Sequence, residues 1–129
     1  HGYTYSGIPV SVAAALAVQE IFEKEDIFNK AKGMVAYFQE ALFSLKDLDS
    51  VANIRGYGLM GGIDMKMNTK PGKAGMECFK SCYDAGVNFK ATGDCLIIAP
   101  QFICEKKHID EIIDKLRTGI SNYQKNQKN

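Results

Sequence analysis

An α+β fold, with helices packed on one face of a small, mostly antiparallel sheet, is what this 129-residue sequence predicts. Three observations lead there. Two long segments carry one-sided apolar stripes at helical spacing, Phe28-Ala31-Val35-Phe38-Leu42-Leu45 and Ile109-Ile112-Ile113-Leu116-Ile120-Tyr123. Between them, Ile63, Met65 and Met67 alternate with Asp64 and Lys66, the period of a strand with one wet face. The remaining apolar runs are short and separated by Gly-rich turn formers, which suits hairpins. The element order reads α-α-β-β-α-β-β-α.

The chain opens on HGYTYSG, a polar turn punctuated by glycines. Pro9 suits the first helical position, because its fixed φ and missing N–H cost nothing there, and Ser6 or Gly7 then falls near the cap. The helix of residues 9–24 is apolar on most sides and is expected to lie buried between layers. Glu25-Asp26 separates it from the second helix and its single stripe.

From Val51 the period changes to two, with a strand reading through residues 59–67 and a loop, NTKPGKAG, after it. Residues 74–85 form a short helix closed by Gly86, a residue free to adopt a left-handed cap. Residues 87–90 and 95–99 are strands joined around Thr92-Gly93-Asp94. The last helix takes Cys104 as its N-cap, a weak choice beside Ser or Thr, and His108 reads as a solvated residue of its first turn. The domain reading is an interface turn at 1–8, one small domain at 9–124, and a disordered tail at 125–129.

Composition removes several classes of function. Sixteen Lys and Arg against fifteen Asp and Glu leave a formal charge of +1, which favours neither nucleic acid nor an anionic membrane. No apolar run reaches the roughly 18–20 residues of a membrane span. No basic segment precedes the alanine-rich helix, so it does not read as a secretory signal. Cys78, Cys82, Cys95 and Cys104 lack metal-ligand spacing and read as free thiols, which points to a reducing, cytoplasmic setting. His1 and His108 lie at opposite ends of the chain, and no nucleophile, base and acid can be grouped by spacing. What remains is the opening turn: hydroxyls and backbone N–H groups beside a helix N-terminus form either a phosphate site or a Thr/Ser-rich connector.

HGYTYSGIP closely resembles the HGxTYSGHP motif of class III pyridoxal-phosphate aminotransferases, which include the ω-amino acid–pyruvate, ornithine and diaminopelargonic-acid enzymes. IRGYGLMGGID is similar to that family's RGxGLMxGIE strand pair, and NFKATGDCLIIAP to its VRPxGD segment. Three motifs in the same order make the resemblance span the whole chain. It implies the C-terminal small domain of a homodimeric, pyridoxal 5'-phosphate-dependent enzyme that passes an amino group from an amine or amino acid to a 2-oxo acid. The partners it implies are the large cofactor domain of the same protein, a second copy, and these small molecules.

Carried over residue by residue, the resemblance makes Thr4 the group that hydrogen-bonds the cofactor phosphate across the subunit boundary. Lys90 stands where many ω-type members have an arginine for the substrate carboxylate, and it reads either as that group or as a surface cation on a strand end. Ile8 replaces the motif's second histidine, and Ile97 stands where the ornithine branch has an arginine, which leaves the ω-amino acid–pyruvate branch nearest. The family's cofactor-attaching lysine lies upstream of this stretch, so no catalytic residue is assigned here and the piece alone is expected to be inactive. The competing reading is a non-catalytic interaction module that keeps the small-domain fold.

Overall fold

The computed structural model describes residues 2–67 and 70–127; His1, Asn68, Thr69 and the Lys128-Asn129 part of the tail lie outside them. Strands β1 (Val51–Tyr57) and β2 (Met60–Met65) form a hairpin whose turn holds Gly58 at φ +57°. A second hairpin, β3 (Lys90–Thr92) and β4 (Cys95–Ile98), turns at Gly93, also at φ +57°, a conformation that disfavours side chains. β4 pairs with β2, so the sheet runs β1-β2-β4-β3 and is antiparallel throughout.

Register decides what each face carries. Ile54, Ile63, Leu96 and Ala91 stand opposite one another across the four strands, and the first three are buried. The next row, Arg55, Gly62, Ile97 and Lys90, must therefore stand on the other face. The helices cover the first face only. α2 (Ile27–Phe43) buries Ile27, Ala31, Phe38 and Leu42, and α4 (Lys106–Asn126) buries Ile109, Ile113, Leu116, Ile120 and Tyr123. α3 (Lys73–Asp84) packs between α4 and the sheet and buries Ala74, Cys78 and Cys82. Each large apolar side chain removed from water here contributes about 1.5–3 kcal/mol.

Two glycines set how closely these layers approach. A Cβ on Gly61 would lie 2.1 Å from Leu42 Cδ2, so β2 leaves room for α2. A Cβ on Gly119 would lie 2.5 Å from the Cys82 Cα, so α4 meets the backbone of α3 there. Polar ties join the helices around this core. Tyr37 of α2 donates to Asp110 of α4, and Arg117 donates to both carboxylate oxygens of Asp47 at 2.9 Å and to the Ser44 carbonyl.

Several sequence expectations shift. β2 stops at Met65, and Met67 is exposed, because the pairing partner β4 begins only at Cys95, opposite Asp64. The strand expected at 87–90 pairs only from Lys90; Val87 instead turns inward and its N–H donates to the Cys82 carbonyl at 3.1 Å. The N-cap of α1 (Pro9–Lys24) is Ile8, directly after Gly7, with Pro9 in the first turn as expected. The cap of α4 is Glu105, not Cys104: His108 accepts the Glu105 N–H at its Nδ1, 3.0 Å away, in a reciprocal box, so the imidazole is a capping group. α4 also continues to Asn126, two residues into the stretch read as a tail.

The largest difference concerns α1, which was expected between layers yet has no buried residue. It leans on α2 only near its end, where Phe22 meets Phe28 edge-on with ring centroids 5.0 Å apart and Phe102 closes the cluster. Val10, Leu16, Val18 and Ile21 are left exposed. No helix of the described residues is long and apolar enough to cross a membrane.

Gly119→Ala should lower stability by about 1–3 kcal/mol, the usual penalty of overpacking. Gly33→Ala, with no atom within 4 Å of the new Cβ, should raise it by about 0.5–1 kcal/mol. Denaturant midpoints of both variants check the pair, and a neutral Gly119→Ala would show that α3 and α4 can separate freely. The bare apolar face of α1 should also make the 129-residue chain self-associate. Sedimentation as a function of concentration, with a hydrophobic dye, measures this; a dye-silent monomer at high concentration would contradict it.

Candidate cofactor and substrate site

Thr4 lies in the turn of residues 4–7 that precedes α1. The Ser6 N–H donates to the Tyr3 carbonyl at 3.3 Å, and Gly7 at φ +75° completes the reversal, which a residue with a Cβ would resist. The whole turn is exposed, and among the described residues the Thr4 hydroxyl has no hydrogen-bond partner. Ile8 offers no side-chain acceptor to the first turn of α1, so the positive end of that helix opens beside Thr4 without a side-chain cap. A hydroxyl donor, a Gly-bent backbone and an uncapped helix start form a set of donors suited to a phosphate oxygen.

Lys90 begins the edge strand β3, on the sheet face that no helix covers. Its cross-strand neighbour is Ile97, which is half-buried. Three strands away on the same face, Arg55 is ion-paired with Asp64, and its second amino group lies 3.4 Å from Cys95 Sγ. Gly62 makes room for this: a Cβ there would sit 3.3 Å from that sulfur and 3.5 Å from the guanidinium carbon. Asp64 thus occupies Arg55, whereas Lys90 has no ion pair among the described residues. A cation left without a carboxylate is able to accept one from outside.

The cysteines do not add a nucleophile. Burial first, and then the neighbouring Asp64, raises the Cys95 thiol above its ordinary range. The Cys78 thiol is raised by its hydrogen bond with Cys82 and by burial. All four cysteines are free. The apolar hollow lined by Ile27, Met34, Phe102, Ile103 and Cys104 contains neither Thr4 nor Lys90. These two are held by different elements, the turn before α1 and the far edge of the sheet.

One residue matters more than its sequence signal suggested. Asp94, read as a turn former and as part of the VRPxGD-like segment, receives the Gly72 N–H on Oδ2 at 2.8 Å and the Gly75 N–H on Oδ1 at 3.1 Å. These donors, Gly72 first and Gly75 next, hold its carboxyl below the usual carboxylate range. α3 starts at Gly72 with no side-chain cap of its own, so its N-terminal amides are capped from the β3–β4 turn. The sequence carried one hint of this, a helix start in PGKAG with no Ser, Thr, Asp or Asn at the cap.

Comparison with known proteins matches residues 1–120 to the class-III aminotransferases. An omega-aminotransferase of Caulobacter vibrioides is 39% identical over 118 residues, covering 91% of this chain and 27% of that protein. The omega-amino acid–pyruvate aminotransferase of Pseudomonas putida is 33% identical over 119 residues, covering 88% of this chain and 26% of that one. Among solved structures, a transaminase with L-ala superposes with a TM-score of 0.89 at 28% identity, covering 98% of this chain and 32% of the other. The adenosylmethionine-8-amino-7-oxononanoate aminotransferase of Methanocaldococcus jannaschii gives 0.84 at 31% identity, over 95% of this chain and 30% of that one. The chain thus spans about a quarter of the length of the curated relatives it matches. With residues 1–120 matched to one family, the chain belongs to the class-III aminotransferases.

Proposed function

We propose that this chain is the C-terminal small-domain part of a cytoplasmic, homodimeric aminotransferase that uses pyridoxal 5'-phosphate to move an amino group from an amine or amino acid to a 2-oxo acid such as pyruvate. The observation that carries the reading is the unpartnered Thr4 hydroxyl in a turn beside an uncapped helix start, within a chain matched to the family from residue 1. The omega-aminotransferase and omega-amino acid–pyruvate aminotransferase among its relatives favour an ω-type substrate pair.

In this reading Thr4 donates to a cofactor phosphate oxygen in the neighbouring subunit, and backbone amides of the turn add neutral donors. The bound cofactor supplies the electron sink for transamination. The exposed α1 packs against the large domain. Lys90 faces the substrate and attracts the carboxylate of the 2-oxo acid as a point charge, without the flat two-pronged donor pair of an arginine. No lysine in this chain is assigned to attach the cofactor, so the 129 residues alone carry no transaminase activity.

Two measurements on the full-length protein test these roles. Thr4→Ala should weaken cofactor binding by roughly 1.5–3 kcal/mol, the worth of one hydrogen bond to a charged group, or about ten- to a hundred-fold in affinity. Titration of the cofactor into the apoprotein reads this directly, and unchanged affinity removes Thr4 from the site. Lys90→Arg should lower the Michaelis constant for pyruvate, and Lys90→Ala should raise it, while a carboxylate-free amine donor is affected much less. Equal constants for pyruvate across the three proteins would make Lys90 a surface cation screened by solvent and salt.

A further inference from the structure

We propose that Asp94 is a positioning residue for Lys90, acting through α3 as a splint for the edge strand. The inference rests on the reading of Lys90 as the carboxylate-binding group. β3 is three residues long, lies at the sheet edge, and has β4 as its only ladder partner. A strand this short frays unless its ends are fastened elsewhere.

Both ends are fastened to α3. Ahead of Lys90, Phe89 sets its ring edge-on to Phe79 of α3, with centroids 5.4 Å apart and planes at 88°, and the Val87 N–H reaches the Cys82 carbonyl. Beyond Lys90, the Asp94 carboxylate takes the Gly72 and Gly75 N–H groups at the other end of the same helix. The Asp94 backbone carbonyl also accepts the Met65 N–H at 2.8 Å, which ties the turn to the end of β2. The turn lies directly on the helix, since a Cβ on Gly75 would come within 2.2 Å of the Gly93 carbonyl oxygen. Lys90 is thus suspended between an apolar tether and an ionic one, with its side chain on the face away from α3.

The two tethers differ in kind. Val87 belongs to the packed core and Phe89 packs against it, so truncating either opens a cavity. Asp94 is outside it, and its charged hydrogen bonds to two amides set direction as well as distance. Without the carboxylate, the hairpin tip keeps only contact packing on α3, and the backbone from which Lys90 projects loses its ionic tether. A displacement of about 1 Å at a substrate-positioning group is enough to lower rates up to about a hundred-fold.

The test is a double-mutant cycle in the full-length holoenzyme, with kcat/KM measured separately for pyruvate and for a carboxylate-free amine donor. Asp94→Ala should lower kcat/KM for pyruvate about tenfold and leave the amine value within about twofold. Asp94→Asn, which keeps one acceptor oxygen for the α3 amides, should recover part of the loss and provides the reading should the alanine variant fold poorly. In a Lys90→Ala background, Asp94→Ala should cause no further loss with pyruvate. Equal losses for both substrates, or losses that multiply in the double variant, would make Asp94 a structural cap and overturn the proposal. If Lys90→Ala alone leaves pyruvate kinetics unchanged, the reading of Lys90 fails first and the positioning role falls with it.

Discussion

Burial of one row of side chains, Ile54, Ile63 and Leu96 across three strands, is the constraint on which the rest of this structure depends. Strand side chains alternate, so putting this row beneath the helices sends Arg55, Gly62, Ile97 and Lys90 to the opposite face without further instruction. A one-residue slip in β3 would bury the Lys90 ammonium under α3, and desolvation of an unpaired charge forbids it. The hydrophobic core and the position of the candidate substrate cation are therefore one decision.

Helix starts differ in how they are capped, and only that of α4 is capped locally. α4 uses a reciprocal box between Glu105 and His108, four positions of contiguous chain. α3 borrows a carboxylate from a turn 22 residues away from Gly72 in sequence. α1 has no side-chain cap at all and opens into the turn that carries Thr4. The free amides of an uncapped, exposed helix start take their acceptors from water or from a ligand. A phosphate oxygen is an acceptor of that kind, which suits the turn before α1 to an anionic group.

The open face of the sheet shows how charge is allotted. Arg55 and Asp64 satisfy each other across β1 and β2, and Gly62 keeps the space between them and Cys95 clear. Lys90, at the far edge, has no such carboxylate among the described residues. Two cations in the same register row thus differ in availability, because only one has an acid on the adjacent strand. The exposed apolar length of α1 is a third unfinished surface, and it agrees with a chain that spans about a quarter of its relatives' length.

Period and turn chemistry in the sequence by themselves determined the α+β class, the element order, the stripe of α4, that of α2 apart from Phe28, which is exposed, and the Gly86 and Gly93 turns, while three motifs carried the resemblance to the aminotransferases. These are local signals, each contained within a few residues, and local signals survive in one dimension. Gly86 and Gly93 do adopt positive φ, and Phe38, Leu42 and Leu45 are fully buried. What the tertiary structure decided is everything that depends on a partner distant along the chain. β3 begins at Lys90 and not at Val87 because pairing, not apolarity, defines a strand. α1, apolar enough to look like a core helix, is exposed because apolarity says that a surface wants a partner and not where the partner is. Asp94 caps α3 because the hairpin tip is folded onto a helix start that lacks its own acceptor, a meeting fixed by packing and invisible to spacing.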